Sequence, residues 1–274
     1  MTFFHKHIIT GPIHSRRLGI SLGVNLLPVT EKLCNYDCVY CECGWDTRWE
    51  ADPAELPTLQ EIEEALRASL QKLKAEGTRP DSITFSGNGE PTIHPQFPQI
   101  APMTATCARE FYPENPPLVT VISNATQIGR PEIVEALGHC TKVLLKLDAG
   151  TPQMYARINQ LQKGFKLGSY EVKDDPESYY PQLLRNLENY PHPFTMQTLL
   201  FRGEHDGKPI DNTSGAEWEA YVQRLQRIKP SSIMLYGLDR ETPAKALKKL
   251  SKEELEAHAE ELRKAGFPSV QAFF

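Results

Sequence analysis

The chain has 274 residues, and 30 Lys and Arg against 35 Asp and Glu give it a net charge of −5 at pH 7. Its length predicts one or two domains, and its 40% hydrophobic content is enough for a buried core, which excludes a wholly disordered chain. The acidic balance argues against a protein that holds nucleic acid by charge alone. The longest apolar runs, residues 118–122 and 143–145, are far shorter than the ~20 residues of a membrane span. Residues 1–13 lack the apolar segment of a secretory signal, so we expect a cytoplasmic protein with no membrane partner.

Short β-rich runs alternate with helical patterns along the chain. The predicted strands are residues 19–27, 82–85, 118–122, 142–147, 195–201 and 232–236. The predicted helices are residues 58–74, 97–111, 131–137, 179–189, 214–228 and 251–264. Capping boxes mark two helix starts, where Thr58 precedes Glu61 and Ser251 precedes Glu254. Residues 161–175 interrupt the fourth strand–helix unit as an insertion.

This alternation predicts βαβ units, a parallel sheet and right-handed crossovers. Six such units curl into an α/β fold, a partial (β/α)6 TIM-like barrel with a C-terminal helix. We expect a single domain over residues 1–274, with its core at about 15–240 and a helical extension at 241–274. In such folds the chemistry lies on the loops that follow the strands.

Four of the six cysteines, Cys34, Cys38, Cys41 and Cys43, fall within ten residues. Clustered cysteines in a reduced cytosolic chain indicate metal binding rather than disulfides. The first three form C-x3-C-x2-C, and three thiolates from one loop can hold three irons of a cubane cluster while the fourth iron stays open and reactive. The alternative is a structural zinc site with Cys43 as its fourth ligand. Cys107 and Cys140 fall in a helix and before a strand, away from this loop.

The cysteine loop, with the aromatic Tyr40 before its last cysteine, resembles the radical S-adenosylmethionine superfamily. The motifs that extend this resemblance toward the wyosine-synthase-like branch are residues 15–25, 86–92, 147–150, 157–159 and 235–240. The resemblance implies a [4Fe-4S] cluster held by Cys34, Cys38 and Cys41, with S-adenosylmethionine on the open iron. It also implies reductive cleavage of that cofactor to a 5′-deoxyadenosyl radical, which abstracts hydrogen from the substrate.

The candidate cofactor-binding residues lie on the cysteine loop and on or just after the predicted strands: Tyr40, Gly87, Asn88, Gly89, Glu90, Ser123, Asn124, Lys146, Asp148 and Gln197. The resemblance implies that the turn ending in Glu90 binds the amino group of S-adenosylmethionine, the alternative being a plain β-turn. It implies that Ser123 and Asn124 contact the ribose or the carboxylate, the alternative being a helix N-cap. No catalytic residue is assigned.

Two pairs of charged residues have both a functional and a structural interpretation. Lys146 and Asp148 are two apart on a predicted strand, so they face one side of the sheet and are either a cofactor or substrate contact or a structural ion pair. Arg16 and Arg17 precede the first predicted strand and either neutralise an anionic cluster or substrate or form surface ion pairs.

Several functional alternatives remain at this point. The substrate is a small metabolite, a peptide or a tRNA, and an electron donor such as flavodoxin or ferredoxin is expected. Wyosine-type modification of a tRNA base is one alternative, but residues 1–33 contain no cysteine and the chain is acidic. A non-catalytic iron–sulfur or zinc-binding protein is the other.

Overall fold

The computed structural model describes residues 4–45, 48–267 and 269–274. Within them the main sheet curls into an open half-barrel, and its eight strands lie in the same order in space as in the chain. The strands are β1 (Ile9–Ser15), β2 (Gly19–Val24), β3 (Ser82–Phe85), β4 (Leu118–Ser123), β5 (Lys142–Lys146), β6 (Thr195–Leu199), β7 (Ser232–Tyr236) and β8 (Val270–Phe273). Strand β1 pairs with β2 in antiparallel orientation, whereas every other neighbouring pair is parallel.

Helices connect the parallel strands and cover the outer face of the sheet. They are α1 (Leu59–Ala75), α2 (Phe97–Phe111), α3 (Pro131–Leu137), α4 (Pro152–Ile158), α5 (Pro176–Glu188), α6 (Gly215–Ile228) and α7 (Lys252–Lys264). Both predicted capping boxes are present, at Thr58 and at Ser251. The predicted partial (β/α)6 barrel is therefore confirmed, with β2 to β7 as its six parallel strands.

The structure adds elements that the sequence pattern did not predict. Strand β1 is an edge strand whose residues are half-buried or exposed, so it lacks the apolar alternation that indicates a strand. Helix α4 has 7 residues and lies between the predicted strand at 142–147 and the insertion at 161–175. The predicted strand at 195–201 is divided, because β6 ends at Leu199 and a second sheet begins with Phe201–His205. The C-terminal extension contributes β8 as well as α7.

The two faces of the main sheet differ in chemistry because neighbouring residues of a strand point to opposite sides. Ile83 and Phe85 of β3 join the same apolar core as Leu66 and Leu70 of α1. On the concave face, buried hydroxyls bond across the strands, from Ser21 to Thr84 at 2.8 Å and from Ser82 to Thr120 at 2.8 Å. The inside of the half-barrel is therefore polar.

Two small three-stranded sheets fasten loops to this frame. One joins Phe201–His205 to Lys208–Asp211 and Lys248–Lys249. The other places the hairpin of the predicted insertion, Lys166–Leu167 and Tyr170–Glu171, beside Glu50–Ala51. In the described part of the chain, no helix has the length and apolarity that crossing a bilayer requires.

Replacement of Leu66 by Ala tests the outer core. Leu66 is fully buried at the centre of α1, so L66A is expected to lower the free energy of unfolding by about 2–5 kcal/mol. E64A on the exposed side of the same helix is expected to change it by less than about 0.5 kcal/mol. Urea unfolding followed by circular dichroism measures both, and equal losses would contradict the proposed packing.

Candidate functional site

The cysteine loop follows β2 and is held by backbone hydrogen bonds to three other parts of the chain. The N–H of Leu33 donates to the carbonyl of Asn88 at 2.8 Å, and the N–H of Val39 donates to that of Ile158 at 3.0 Å. The N–H of Ala244 donates to the carbonyl of Val39 at 3.2 Å. Because an irregular buried segment must satisfy its backbone groups somewhere, these contacts determine where the thiols lie.

Glycines let the turn after β3 approach this loop. A Cβ atom on Gly87 would lie 2.1 Å from Oδ1 of Asn25. Gly89 has a φ of +142°, and a Cβ atom there would lie 1.8 Å from the carbonyl oxygen of Leu33. Only glycine fits such close approaches, and at Gly89 it also supplies the left-handed backbone.

The loop and the turn enclose an open cavity of about 710 Å³ at the ends of the parallel strands. Part of this volume is open to solvent. Its wall contains all four clustered cysteines and most of the predicted cofactor-binding residues: Cys34, Cys38, Cys41, Cys43, Tyr40, Gly87, Gly89, Glu90, Ser123, Asn124 and Lys146.

Three predicted residues lie elsewhere. The amide of Asn88 donates to the backbone carbonyls of His5, at 3.0 Å, and Pro28, at 2.7 Å, so it holds neighbouring chain segments together. Gln197 is buried on the concave face with its amide 3.7 Å from the sulfur of Met234. Asp148 is buried behind the wall and reaches it through other side chains.

Amide groups surround two of the motif thiols. Nδ2 of Asn159 lies 3.6 Å from Sγ of Cys38, and Nδ2 of Asn124 lies 3.8 Å from Sγ of Cys34. The backbone N–H of Tyr36 also points at Sγ of Cys34, at 3.4 Å. Donors in these positions stabilise thiolate sulfur, which is the form that binds metal.

Burial and nearby positive charge have opposite effects on the pKa of a thiol. Burial raises the pKa of Cys38 to about 11, although the nearby Lys146 ammonium favours the thiolate. A hydrogen bond between the side chains of Cys41 and Cys43 lowers the pKa of Cys41. The same hydrogen bond, together with burial, raises the pKa of Cys43.

Lys146 and Asp148 are brought together as their spacing predicted, with Tyr40 between them. Nζ of Lys146 lies 3.8 Å from Oδ2 of Asp148 and donates to the hydroxyl of Tyr40 at 2.6 Å. That hydroxyl donates to the Asp148 carboxylate at 2.5 Å. Burial lowers the pKa of Lys146, but Asp148, Tyr236 and Cys38 outweigh it, and the net shift is upward. Lys146 is therefore an ammonium ion at neutral pH.

The carboxylate of Glu90 ties the glycine turn to the end of β4. It accepts the backbone N–H of Asn124 at 2.6 Å and that of Thr92 at 3.0 Å. Burial raises the pKa of Glu90, and these hydrogen bonds only partly offset that rise. Oγ of Ser123 accepts the N–H of Ala125 at 3.0 Å within the loop after β4, and this is not a helix N-cap, because α3 begins at Pro131 with Arg130 as its N-cap residue. Ser123 and Asn124 also line the cavity, so each belongs both to the loop after β4 and to the cavity wall.

Lys32 and Asn159 are among the lining residues that were not predicted. Lys32 is buried at the cavity, with its Nζ 2.6 Å from Oδ1 of Asp37 and 3.3 Å from the carbonyl of Gly44. Its position two residues before Cys34 was the available signal. Asn159 belongs to the motif at 157–159 but had no assigned role.

The two arginines before β2 have different surroundings. Arg16 is exposed and forms an ion pair with Asp239 at 2.7 Å, as its surface alternative predicted. Arg17 is half-buried, and its Cζ lies 4.8 Å from the centre of the Tyr236 ring. Only Arg17 thus faces the inside of the half-barrel.

The four clustered thiols line one cavity. In residues 4–45, 48–267 and 269–274, no group of three or more Cys, His, Asp or Glu side chains is arranged to hold a single metal ion.

Comparison with known proteins extends this description. No protein-family model matches the chain. A UPF0026 protein of Helicobacter pylori is 28% identical over 249 residues, which cover 90% of this chain and 71% of that protein. A radical SAM methyltransferase from Sphaerobacter thermophilus superimposes with a TM-score of 0.61 at 17% identity, over 92% of this chain and 65% of that enzyme. TYW1 with a lysine-pyruvate adduct bound gives a TM-score of 0.54 at 17% identity, over 89% of this chain and 73% of that one.

This chain thus spans slightly less than two thirds of the methyltransferase and most of the UPF0026 relative. The chain therefore has the fold of the radical S-adenosylmethionine enzymes, as its cysteine motif indicated, and it is similar in sequence to the UPF0026 proteins.

Proposed function

We propose that this protein is a radical S-adenosylmethionine enzyme that abstracts hydrogen from its substrate. In this proposal Cys34, Cys38 and Cys41 hold one [4Fe-4S] cluster, and S-adenosylmethionine binds beside it. The observation that carries the proposal is that the three thiols of the C-x3-C-x2-C loop and the glycine turn line one cavity on this fold.

The donor set fits the cluster. Three thiols, amide donors 3.6 Å and 3.8 Å from two of their sulfurs, and the ammonium groups of Lys32 and Lys146 surround the place where negative charge would be held. When bound, the cluster supplies the electron that cleaves S-adenosylmethionine into methionine and a 5′-deoxyadenosyl radical. The C-x3-C-x2-C spacing supplies three thiols from one loop, which favours a cluster with one open iron over a structural zinc ion, since zinc takes four ligands.

The protein's own groups position the cofactor and limit access of water. Gly87 and Gly89 leave backbone exposed to the cavity because they carry no side chain. The Tyr40 ring lines the cavity in a fixed orientation, because its hydroxyl is held by Lys146 on one side and Asp148 on the other. A locked aromatic wall of this kind pre-organises the site for a planar ligand group.

The proposal names one cofactor but keeps three classes of substrate: a small metabolite, a peptide and a tRNA. A flavodoxin or ferredoxin is the expected electron donor, and the cytoplasm is the expected compartment. The likeness to TYW1 lies in the fold, at 17% identity, and therefore does not favour tRNA over a metabolite or a peptide.

Replacement of Cys38 by Ala tests the central claim. Anaerobically reconstituted protein with dithionite and S-adenosylmethionine is expected to form 5′-deoxyadenosine. C38A is expected to lower this by about a hundredfold or more, because an incomplete ligand set cannot hold the reactive cluster. C140A, at a half-buried cysteine after α3, serves as the control and retains the activity. Stoichiometric zinc and no 5′-deoxyadenosine from the wild-type protein would contradict the proposal.

Replacement of Gly89 by Ala tests the contact between turn and loop. The added Cβ would overlap the Leu33 carbonyl and displace the start of the cysteine loop. G89A is therefore expected to retain less than about half of the wild-type iron per chain after reconstitution. G77A is the matched control, since Gly77 also has a positive φ, +69°, but a Cβ atom there meets nothing within 4 Å. Iron analysis of both proteins measures the effect. Equal iron contents would contradict the role of the Gly89–Leu33 contact in placing the cysteine loop.

Replacement of Lys146 by Met tests the charge network. K146M removes the ammonium that holds the Tyr40 hydroxyl, so S-adenosylmethionine affinity is expected to fall by about tenfold while iron content stays unchanged. K142M, at the beginning of the same strand, is the control. Equilibrium dialysis with labelled S-adenosylmethionine measures the affinities, and unchanged binding in K146M would rule out this role.

A further inference from the structure

A row of polar groups continues from the cavity across the concave face of the half-barrel. Nζ of Lys146 lies 4.3 Å from the centre of the Tyr40 ring and 5.7 Å from that of the Tyr236 ring. Cζ of Arg17 lies 4.8 Å from the same Tyr236 ring. The Tyr236 ring is therefore in cation–π range of two positive charges, one at the cavity and one on the turn between β1 and β2.

The negative charge near these groups is already engaged. Asp148 accepts hydrogen bonds from the Tyr40 hydroxyl and from the backbone N–H of Leu199, at 2.9 Å, in addition to its ion pair with Lys146. In the part of the chain that the structure describes, no carboxylate forms an ion pair with Arg17. Lys146 and Asp148 balance each other, so Arg17 supplies the unpaired positive charge at this end of the concave face.

The neighbouring Arg16 differs from Arg17 in its exposure and in its partner. Its guanidinium is half exposed and lies 2.7 Å from Asp239. Arg17 is half-buried against an aromatic ring, where loss of water is costly unless an anion replaces it. A guanidinium group matches the two oxygens of a carboxylate or phosphate with parallel hydrogen bonds.

We propose that Arg17, with Tyr236 and Lys146, forms the recognition end of the substrate site and binds a carboxylate or phosphate group of the substrate. This inference rests on the proposed function, because it takes the cysteine-lined cavity as the place of reaction. Arg17 and Tyr236 lie beyond the wall formed by the cysteines and the glycine turn. A substrate anchored there extends past Lys146 toward the cofactor.

The experiment measures anion binding separately from radical chemistry. Full-length, cluster-loaded protein is titrated anaerobically with inorganic phosphate and, in a second arm, with acetate, both at constant ionic strength. Isothermal titration calorimetry gives the dissociation constants for wild type, R17Q, R17K and R16Q. Labelled S-adenosylmethionine is titrated into the same four proteins, and circular dichroism confirms that each is folded.

The wild-type protein is expected to bind at least one of the two anions with a dissociation constant below about 10 mM. R17Q is expected to weaken that binding by about tenfold or more, and R17K by less, because lysine keeps the charge but loses the paired donors. R16Q is expected to bind like the wild type, and S-adenosylmethionine affinity is expected to be the same in all four. The arm with tighter binding identifies the substrate group as phosphate or carboxylate.

Four results would overturn the inference: no binding of either anion, equal binding by R17Q and wild type, an equal loss in R16Q, or a loss of S-adenosylmethionine affinity in R17Q. The last would assign Arg17 to the cofactor carboxylate instead. If R17Q does not fold, R17K decides by the same criteria. Failure of the proposed function is distinguishable, since it removes 5′-deoxyadenosine formation and leaves Arg17-dependent anion binding intact.

Discussion

The docking of an irregular cysteine loop onto regular backbone is the constraint on which the site depends. The loop has no helix or ladder of its own, so its N–H groups bond to the glycine turn and to the segment after α4. The close contact between Gly89 and Leu33 is possible because no side chain intervenes. Each thiol position thus follows from bonds made by residues far away in the sequence, and the barrel serves as the rigid frame that holds those residues.

Burial of charge is the second requirement, and the structure meets it with a connected network. Lys146 and Asp148 would each be costly to bury alone, but the Tyr40 hydroxyl joins them and Asn159 extends the network to Cys38. Removing one member leaves the others uncompensated. Structural pairing and function are therefore not separate alternatives here, since the same ion pair that satisfies burial also orients the aromatic wall of the cavity.

Much of the fold and part of the site could be predicted from sequence because local patterns carried them. The parallel strands follow from alternating apolar runs, and the adjacency of Lys146 and Asp148 follows from strand periodicity. The role of Asn88 was not predictable, since its amide bonds to backbone carbonyls 83 and 60 residues away in the chain. Strand β1 was missed because an exposed edge strand has no apolar face to reveal it.

Net charge is a weak guide to what this protein binds. The overall charge of −5 sums the outer surface with the interior, and helix α7 alone carries Glu253, Glu254 and Glu256 on exposed turns. At the site Lys32 pairs with Asp37 and Lys146 with Asp148, which leaves Arg17 as the cation on the concave face that no carboxylate pairs with in the described part of the chain. A substrate entering the half-barrel meets this local field rather than the average, since charges farther away than about 10 Å are screened by salt. An acidic chain can therefore select an anionic substrate.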